Sequence, residues 1–172
     1  MKKSVLKVQM FGAYSIEYEG KPISFERNTA TKTNQLMQIL LQAGEKGVAR
    51  AKLLSDLFGD EEMSNPANSL RATVFRLRRL LAAAGLPEDE YVTIKGGSYY
   101  WTSEIPYELD AHQFEELLKK AEKENDPEKK KSYIEEACEL YRGEFLPQLG
   151  AEGWAVVLNV YYKMPCAHYA RF

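Results

Sequence analysis

Apolar residues recur along this chain with two different periods, and the change from one to the other marks out its elements. Val5 to Phe11 alternates apolar and polar, Gly12 interrupts, Tyr14 to Tyr18 alternates again before Glu19-Gly20, and Ile23 to Phe25 makes a third short run. A period of two places successive side chains on opposite faces of a strand, so VLKVQMF, YSIEY and PISF read as a small antiparallel meander with turns at glycine. The period then lengthens. Thr29 or Thr31 can cap a helix that buries Leu36, Met37, Leu40 and Leu41 and stops at Gly44. Beyond Gly47, VARAKLLSDLFG is a shorter helical piece with Leu53, Leu54, Leu57 and Phe58 as its core, and GDEEMS follows as an acidic loop.

The stretch from Asn65 to Gly85 carries the strongest pattern. Asn65 offers a capping oxygen, Pro66 sits where no N–H is needed, and Gly85 with Pro87 supplies the stop. At about 100° per residue, Leu70, Val74, Leu77 and Leu81 share one narrow stripe. Asn68, Ala72, Phe75, Arg76 and Arg79 lie opposite, with Arg71 and Arg78 on one flank, and no acidic residue occurs from Met63 to Pro87. Surface helices usually mix both signs of charge. A purely cationic outward face suits a helix lying between two rows of phosphates in a DNA groove. Further on, Tyr91 to Ile94 and Tyr99 to Thr102 flank Lys95-Gly96-Gly97-Ser98, which predicts a hairpin with a small basic tip. Three helices, the third basic, then a hairpin, are the parts of a winged helix-turn-helix. In that arrangement the third helix meets base edges and the wing meets the adjacent backbone or minor groove.

The second half reads as helical. Ala111 to Glu124 places Phe114, Leu117, Leu118 and Ala121 on one face, and Asn125-Asp126-Pro127 breaks it, with Asp126 as the next cap. Ser132 to Arg142 then aligns Tyr133, Ile134, Ala137, Cys138 and Tyr141, ending at Gly143. A further helix includes Trp154 to Tyr162, and Pro165 is expected to end it. No clean repeat period emerges, so the pattern alone supports a helical bundle.

Composition sharpens this picture in a few places. At 172 residues and 45% hydrophobic, the chain can build one medium domain or two small ones, and no segment approaches the length of a membrane span. The net charge of −2 hides an asymmetry: fourteen Lys and Arg face twelve acids up to Ile105, and nine face thirteen from Pro106 onward. The start, MKKSVLKVQMFG, reads as a strand and is not expected to be a signal peptide. Cys138 and Cys166 are too few for a disulfide framework, which fits a reducing cytoplasm, and Cys138 reads as a core filler. Cys166 and His168 fall short of the three or four ligands zinc needs, and His112 has no partner nearby in sequence. The carboxylates form solvated helix faces, and Gly96-Gly97 matches no nucleotide-binding fingerprint. The expectation is a protein without enzymatic activity, metal or cofactor.

These residues carry a family resemblance. The initial sheet, RLRRLL and KGGSYYW resemble an OmpR-type winged helix, and continuing through YELDAHQFEELLKKA and EEACELYRGEFLP the order resembles SARP-type transcriptional regulators. The resemblance implies an α+β fold: a winged-helix DNA-binding domain over residues 1–105 with an N-terminal antiparallel sheet, then an all-α, tetratricopeptide-like bacterial transcriptional activator domain over residues 106–172. That second domain is expected to be incomplete, as in a fragment or a natural truncation, because the family pattern continues beyond Trp154 for several helices. No receiver module is expected ahead of the first sheet.

The implied partners are double-stranded DNA, RNA polymerase and, on repeated half-sites, a second copy of the chain; no membrane is implied. Asn68, Phe75, Arg76 and Arg79 are expected at base edges, and Arg50, Arg71, Arg78 and Lys95 at phosphates. By resemblance, Asp60, Glu61 and Glu62 between the second and third helices would touch RNA polymerase. The alternative is a winged-helix scaffold that docks an acidic protein through the Arg helix and binds no DNA.

Overall fold

Strand β1 (Leu6–Gln9) and strand β2 (Ser15–Tyr18) form where the alternation predicts them, followed by β3 (Lys21–Ile23). The structure, a computed structural model, describes residues 4–24, 28–59 and 64–169; Phe25, the last residue of the expected third strand, lies outside them. The chain groups into two units. One comprises Met1–Val5 with Tyr18–Pro106, the other Leu6–Glu17 with Tyr107–Phe172. A cut at Pro106 coincides with the change in charge, whereas no compositional shift marks the cut inside the N-terminal strands.

In the first unit, α1 (Lys32–Ala43) starts at Thr31, whose hydroxyl accepts from the Asn34 N–H, and ends at Gly44, φ +62°. Of the two threonines offered by the sequence, Thr31 is the cap. The opening turns of α1 also bury amides. Asn34, Gln35 and Gln38 donate to the carbonyls of Asn28, Ala30 and Thr29, so these amide N–H groups are matched to the backbone of the preceding loop, while the Gln38 Oε1 is buried without a partner among the described residues.

A 3-10 turn over Gly44–Lys46 leads to β4 (Val48–Ala49) and α2 (Arg50–Phe58). Sequence periodicity misses β4, because two residues carry no period. Gly47, at φ +65°, is required there: a Cβ would meet the Tyr100 ring at 2.4 Å. Leu53, Leu57 and Phe58 are buried, while Leu54, expected with them, is half-buried.

Helix α3 (Pro66–Ala83) buries Leu70, Val74, Leu77 and Leu81 as the stripe predicts. Strands β5 (Tyr91–Lys95) and β6 (Ser98–Thr102) follow as an antiparallel hairpin, completing a sheet of order β4-β6-β5. Its two-residue turn, Gly96-Gly97, has φ of +58° and +78°, the backbone a tight hairpin demands.

In the second unit, β7 (Tyr107–Leu109) pairs in parallel with β1, Leu6 opposite Tyr107 and Val8 opposite Leu109. The chain then enters α4 (Asp110–Lys123), α5 (Pro127–Leu140) and α6 (Gly153–Tyr169). Asp110 fastens this arrangement. The N–H groups of Met10, Phe11 and Ala111 donate to its carboxylate at 2.8–3.1 Å, which joins the end of β1 to the start of α4. Burial pushes the Asp110 carboxyl up, against the pull of those N–H groups and of Arg142.

The RGEFLP segment runs beside the same residues. Gly12 N–H donates to Glu144 O at 2.9 Å and Leu146 N–H to Met10 O at 2.8 Å, and the Asn159 side chain bonds both the N–H and the carbonyl of Phe145. A Cβ at Gly143 would stand 2.9 Å from Gly12 Cα, which is why glycine faces glycine in this crossing.

Two expectations are corrected here. Pro165 does not end α6, which continues to Tyr169. The carbonyl that Pro165 leaves without a donor belongs to the exposed Tyr161, where solvent can supply one, and the last turns are tied to α5 through Cys166 and through Tyr169, whose hydroxyl donates to Glu135. Cys138 is not a lone core filler: it forms a disulfide with Cys166, their Cα atoms 5.6 Å apart. Among the described residues, no helix is long and apolar enough to cross a membrane.

Candidate nucleic-acid interface

The Asn65 side chain accepts from the Asn68 N–H at 3.2 Å and so sets where α3 begins. The phase that follows buries Leu70, Val74 and Leu77, and it leaves Asn68, Arg71, Ala72, Phe75, Arg76, Arg78 and Arg79 exposed on the other side. Phe75 is 61% exposed, so it does not pack on a neighbouring helix. The Arg79 guanidinium lies over its ring, 5.9 Å from the centroid. That contact gives a bare aromatic ring a cationic cover and holds an otherwise flexible side chain on the outer face. Among the described residues, neither Arg71 nor Arg79 forms an ion pair with an acid.

The wing is seated on the helices at two points. Arg50, exposed at the first position of α2, donates its backbone N–H to Gly97 O at 3.0 Å, which rests the wing turn on that helix start. Arg78 reaches the other end of the hairpin and donates to the carbonyls of Glu90 and Val92 at 3.2 and 2.7 Å. Of the cations expected at phosphates, Arg78 therefore has two donors already engaged with backbone. Lys95 is exposed beside the wing turn, opposite Ser98. Asp60, Glu61 and Glu62 lie outside the described residues.

Sequence reading missed the root of the wing. Tyr91 is 1% exposed with φ +58°, a backbone region that bulky side chains rarely occupy. Its ring lies 5.4 Å from that of Trp101, and its hydroxyl donates to Pro87 O. Asp89 organises the same loop, accepting from the N–H groups of Glu90 at 2.7 Å and Glu104 at 2.9 Å. The acidic and aromatic character of PEDEYV was the available signal, but nothing in it indicates which carboxylate turns inward.

Burial pushes the Asp89 carboxyl up, yet bonds from the Glu104 and Glu90 N–H groups, with Ser103 and Tyr91, outweigh it and hold the group below its ordinary value. A carboxyl depressed by folding stabilises the fold above its unfolded pKa and loses that effect as pH falls through the folded value. Acidification below about pH 4 is therefore expected to loosen the wing root. Asp89→Asn should flatten this part of the profile when amide exchange over residues 89–94 is followed against pH. An unchanged profile in the variant would assign the acid sensitivity to another carboxylate.

A winged helix-turn-helix and a helical unit thus define the class of fold. No protein-family model matches the chain. Among curated proteins it is similar to Protein RcaC of Microchaete diplosiphon, with 28% identity over 120 residues, covering 64% of this chain and 18% of that protein. Among solved structures it is similar to Mycobacterium tuberculosis EmbR in complex with a low-affinity phosphopeptide, at a TM-score of 0.72 and 16% identity, covering 92% of this chain and 42% of the other. The chain spans less than a fifth of RcaC and about two fifths of the EmbR chain. The likeness to EmbR is one of fold.

Proposed function

We propose that this chain is a sequence-specific, DNA-binding transcriptional regulator that works without catalysing a reaction. The observation that carries the reading is the outward face of α3: it is free of acids, lined by Asn68, Arg71, Phe75, Arg76 and Arg79, and flanked by a wing tipped with Lys95. On this reading α3 enters the major groove, with Asn68, Phe75, Arg76 and Arg79 at base edges and Phe75 against a thymine methyl or sugar. Arg50, Arg71 and Lys95 bracket the groove at phosphates, and the wing meets the backbone or minor groove. The fold shared with EmbR agrees with the SARP-type resemblance in the sequence.

The test is fluorescence anisotropy on duplex DNA over a series of salt concentrations. Binding should weaken steeply with salt, and Arg71→Ala or Lys95→Ala should each reduce the logarithmic slope by about one while weakening all sequences alike. An unchanged slope for Lys95→Ala would leave the wing without a role in binding.

A second reading is a protein-docking scaffold. It draws on the exposed Phe75 and on EmbR having been solved with a phosphopeptide. Duplex binding with no salt dependence would favour it.

We also propose, by family resemblance, that Asp60, Glu61 and Glu62 contact RNA polymerase. Acids beside DNA gain nothing from phosphates, so reversing the charge of Glu61 and Glu62 should abolish activation in a reconstituted promoter assay while keeping or improving DNA affinity. Unaffected transcription would make the loop a connector.

A further inference from the structure

We infer that Arg78 is a positioning residue: its guanidinium clamps the root of the wing to α3 and thereby sets where the wing meets DNA. The inference rests on the DNA-binding reading above for its consequence, and on the geometry of the first unit for the clamp itself.

Arg78 Nε donates to Glu90 O at 3.2 Å and Nη2 to Val92 O at 2.7 Å. These carbonyls belong to the residues on either side of Tyr91, the residue that turns the chain into β5 with φ +58°. The local backbone is tight, since Val92 N–H also donates to Glu90 O at 2.6 Å. A buried tyrosine in a left-handed conformation persists only where its surroundings over-determine it. Here the ring is fixed against Trp101 and the hydroxyl against Pro87 O, and the two flanking carbonyls are held by one side chain.

Only a guanidinium presents two N–H donors in a rigid fork able to span such a pair; a lysine keeps the charge and loses the fork. At the helix end the clamp is equally well placed. Arg78 follows Leu77, 1% exposed, and precedes Leu81, fully buried, so its Cα is anchored by the core stripe. A cation on the flank of a DNA-facing helix would ordinarily be assigned to a phosphate. Two donors committed to the wing's backbone give this one a different task.

The experiment uses the whole chain and has two arms. In the first, amide exchange of DNA-free protein is compared for wild type, Arg78→Ala, Arg78→Lys and Arg71→Ala. Both Arg78 variants should exchange roughly tenfold faster over residues 91–95, and Arg71→Ala should not. Arg78→Lys retains charge and aliphatic stem, which keeps the test valid if Arg78→Ala fails to fold; wild-type exchange in Arg78→Lys overturns the clamp.

In the second arm, a mixed-sequence DNA duplex is titrated over a salt series. Lys95→Ala should lower the salt slope by about one in the wild-type background and leave it unchanged in the Arg78→Lys background, because the wing is no longer in place. Equal losses in both backgrounds would overturn the positioning role. If wild type shows no salt-dependent duplex binding, the DNA-binding reading fails, and the exchange arm still decides the clamp.

Discussion

Replacing Phe11 by alanine is expected to remove about 3–5 kcal/mol from the stability of the helical unit, the usual cost of emptying a phenylalanine site in a packed core. Phe11 is fully buried two residues beyond β1. Its ring meets those of Phe114 at 5.5 Å, Tyr141 at 5.1 Å, Tyr162 at 5.2 Å and Phe145 at 6.3 Å, each edge to face. Rings from α4, from α6 and from the segment between α5 and α6 thus converge on one side chain just beyond the N-terminal strand, and edge-to-face pairs are worth something beyond their buried area. The neighbouring backbone is bound just as closely, through Asp110 on one side and Glu144 and Leu146 on the other. With so many fixed neighbours the site has little freedom to collapse into the vacated space. Urea denaturation read by far-ultraviolet circular dichroism, with amide exchange in α4 and α6, measures the effect. A loss below about 1 kcal/mol would mean that the aromatic cluster does not depend on β1.

Arg76→Ala is expected to cost about 1–3 kcal/mol in binding to a preferred DNA site and to relax specificity at one or two base pairs. Arg76 is exposed midway along α3, between Phe75 and the buried Leu77, on the face that would look along the groove floor. Arginine can donate to two acceptors on one guanine edge, a pattern no other base pair offers in the major groove. Selection of binding sites from a randomised duplex library, done in parallel for wild type and variant, reads the outcome directly. A base reader leaves one or two positions of the recovered motif degenerate in the variant. Recovery of the wild-type motif at uniformly lower affinity would make Arg76 a phosphate contact instead.

Much of the candidate interface was legible in the sequence because it depends on a single helix. The Asn65-Pro66 start and the spacing of Leu70, Val74, Leu77 and Leu81 determine the phase of α3, and the phase determines which cations face outward. The wing was legible for a related reason: Gly96-Gly97 between two β-rich arms specifies a hairpin through local backbone chemistry alone. Arg78 marks the limit of that reading. Its position on the flank followed from the helical period, but its partners, Glu90 O and Val92 O, are backbone atoms on another element, and no side-chain pattern announces a carbonyl.

Interactions over a few residues specify the order of the main helices and the wing hairpin, the α+β class, the caps at Asn65 and Asp126, and the cationic face of α3, and these were legible in the sequence. Folding alone establishes which unit strands β1 and β2 join, that YEL is a strand, that Cys138 meets Cys166, and that α6 runs through Pro165. Each of these depends on residues far apart in the chain. Parallel pairing of β1 with β7 joins residues about a hundred positions apart, and it is specified by Asp110 receiving the N–H groups of Met10 and Phe11 and by Phe11 filling an aromatic core. A local period cannot encode such a meeting, because the residues that decide it become neighbours only when the chain has folded.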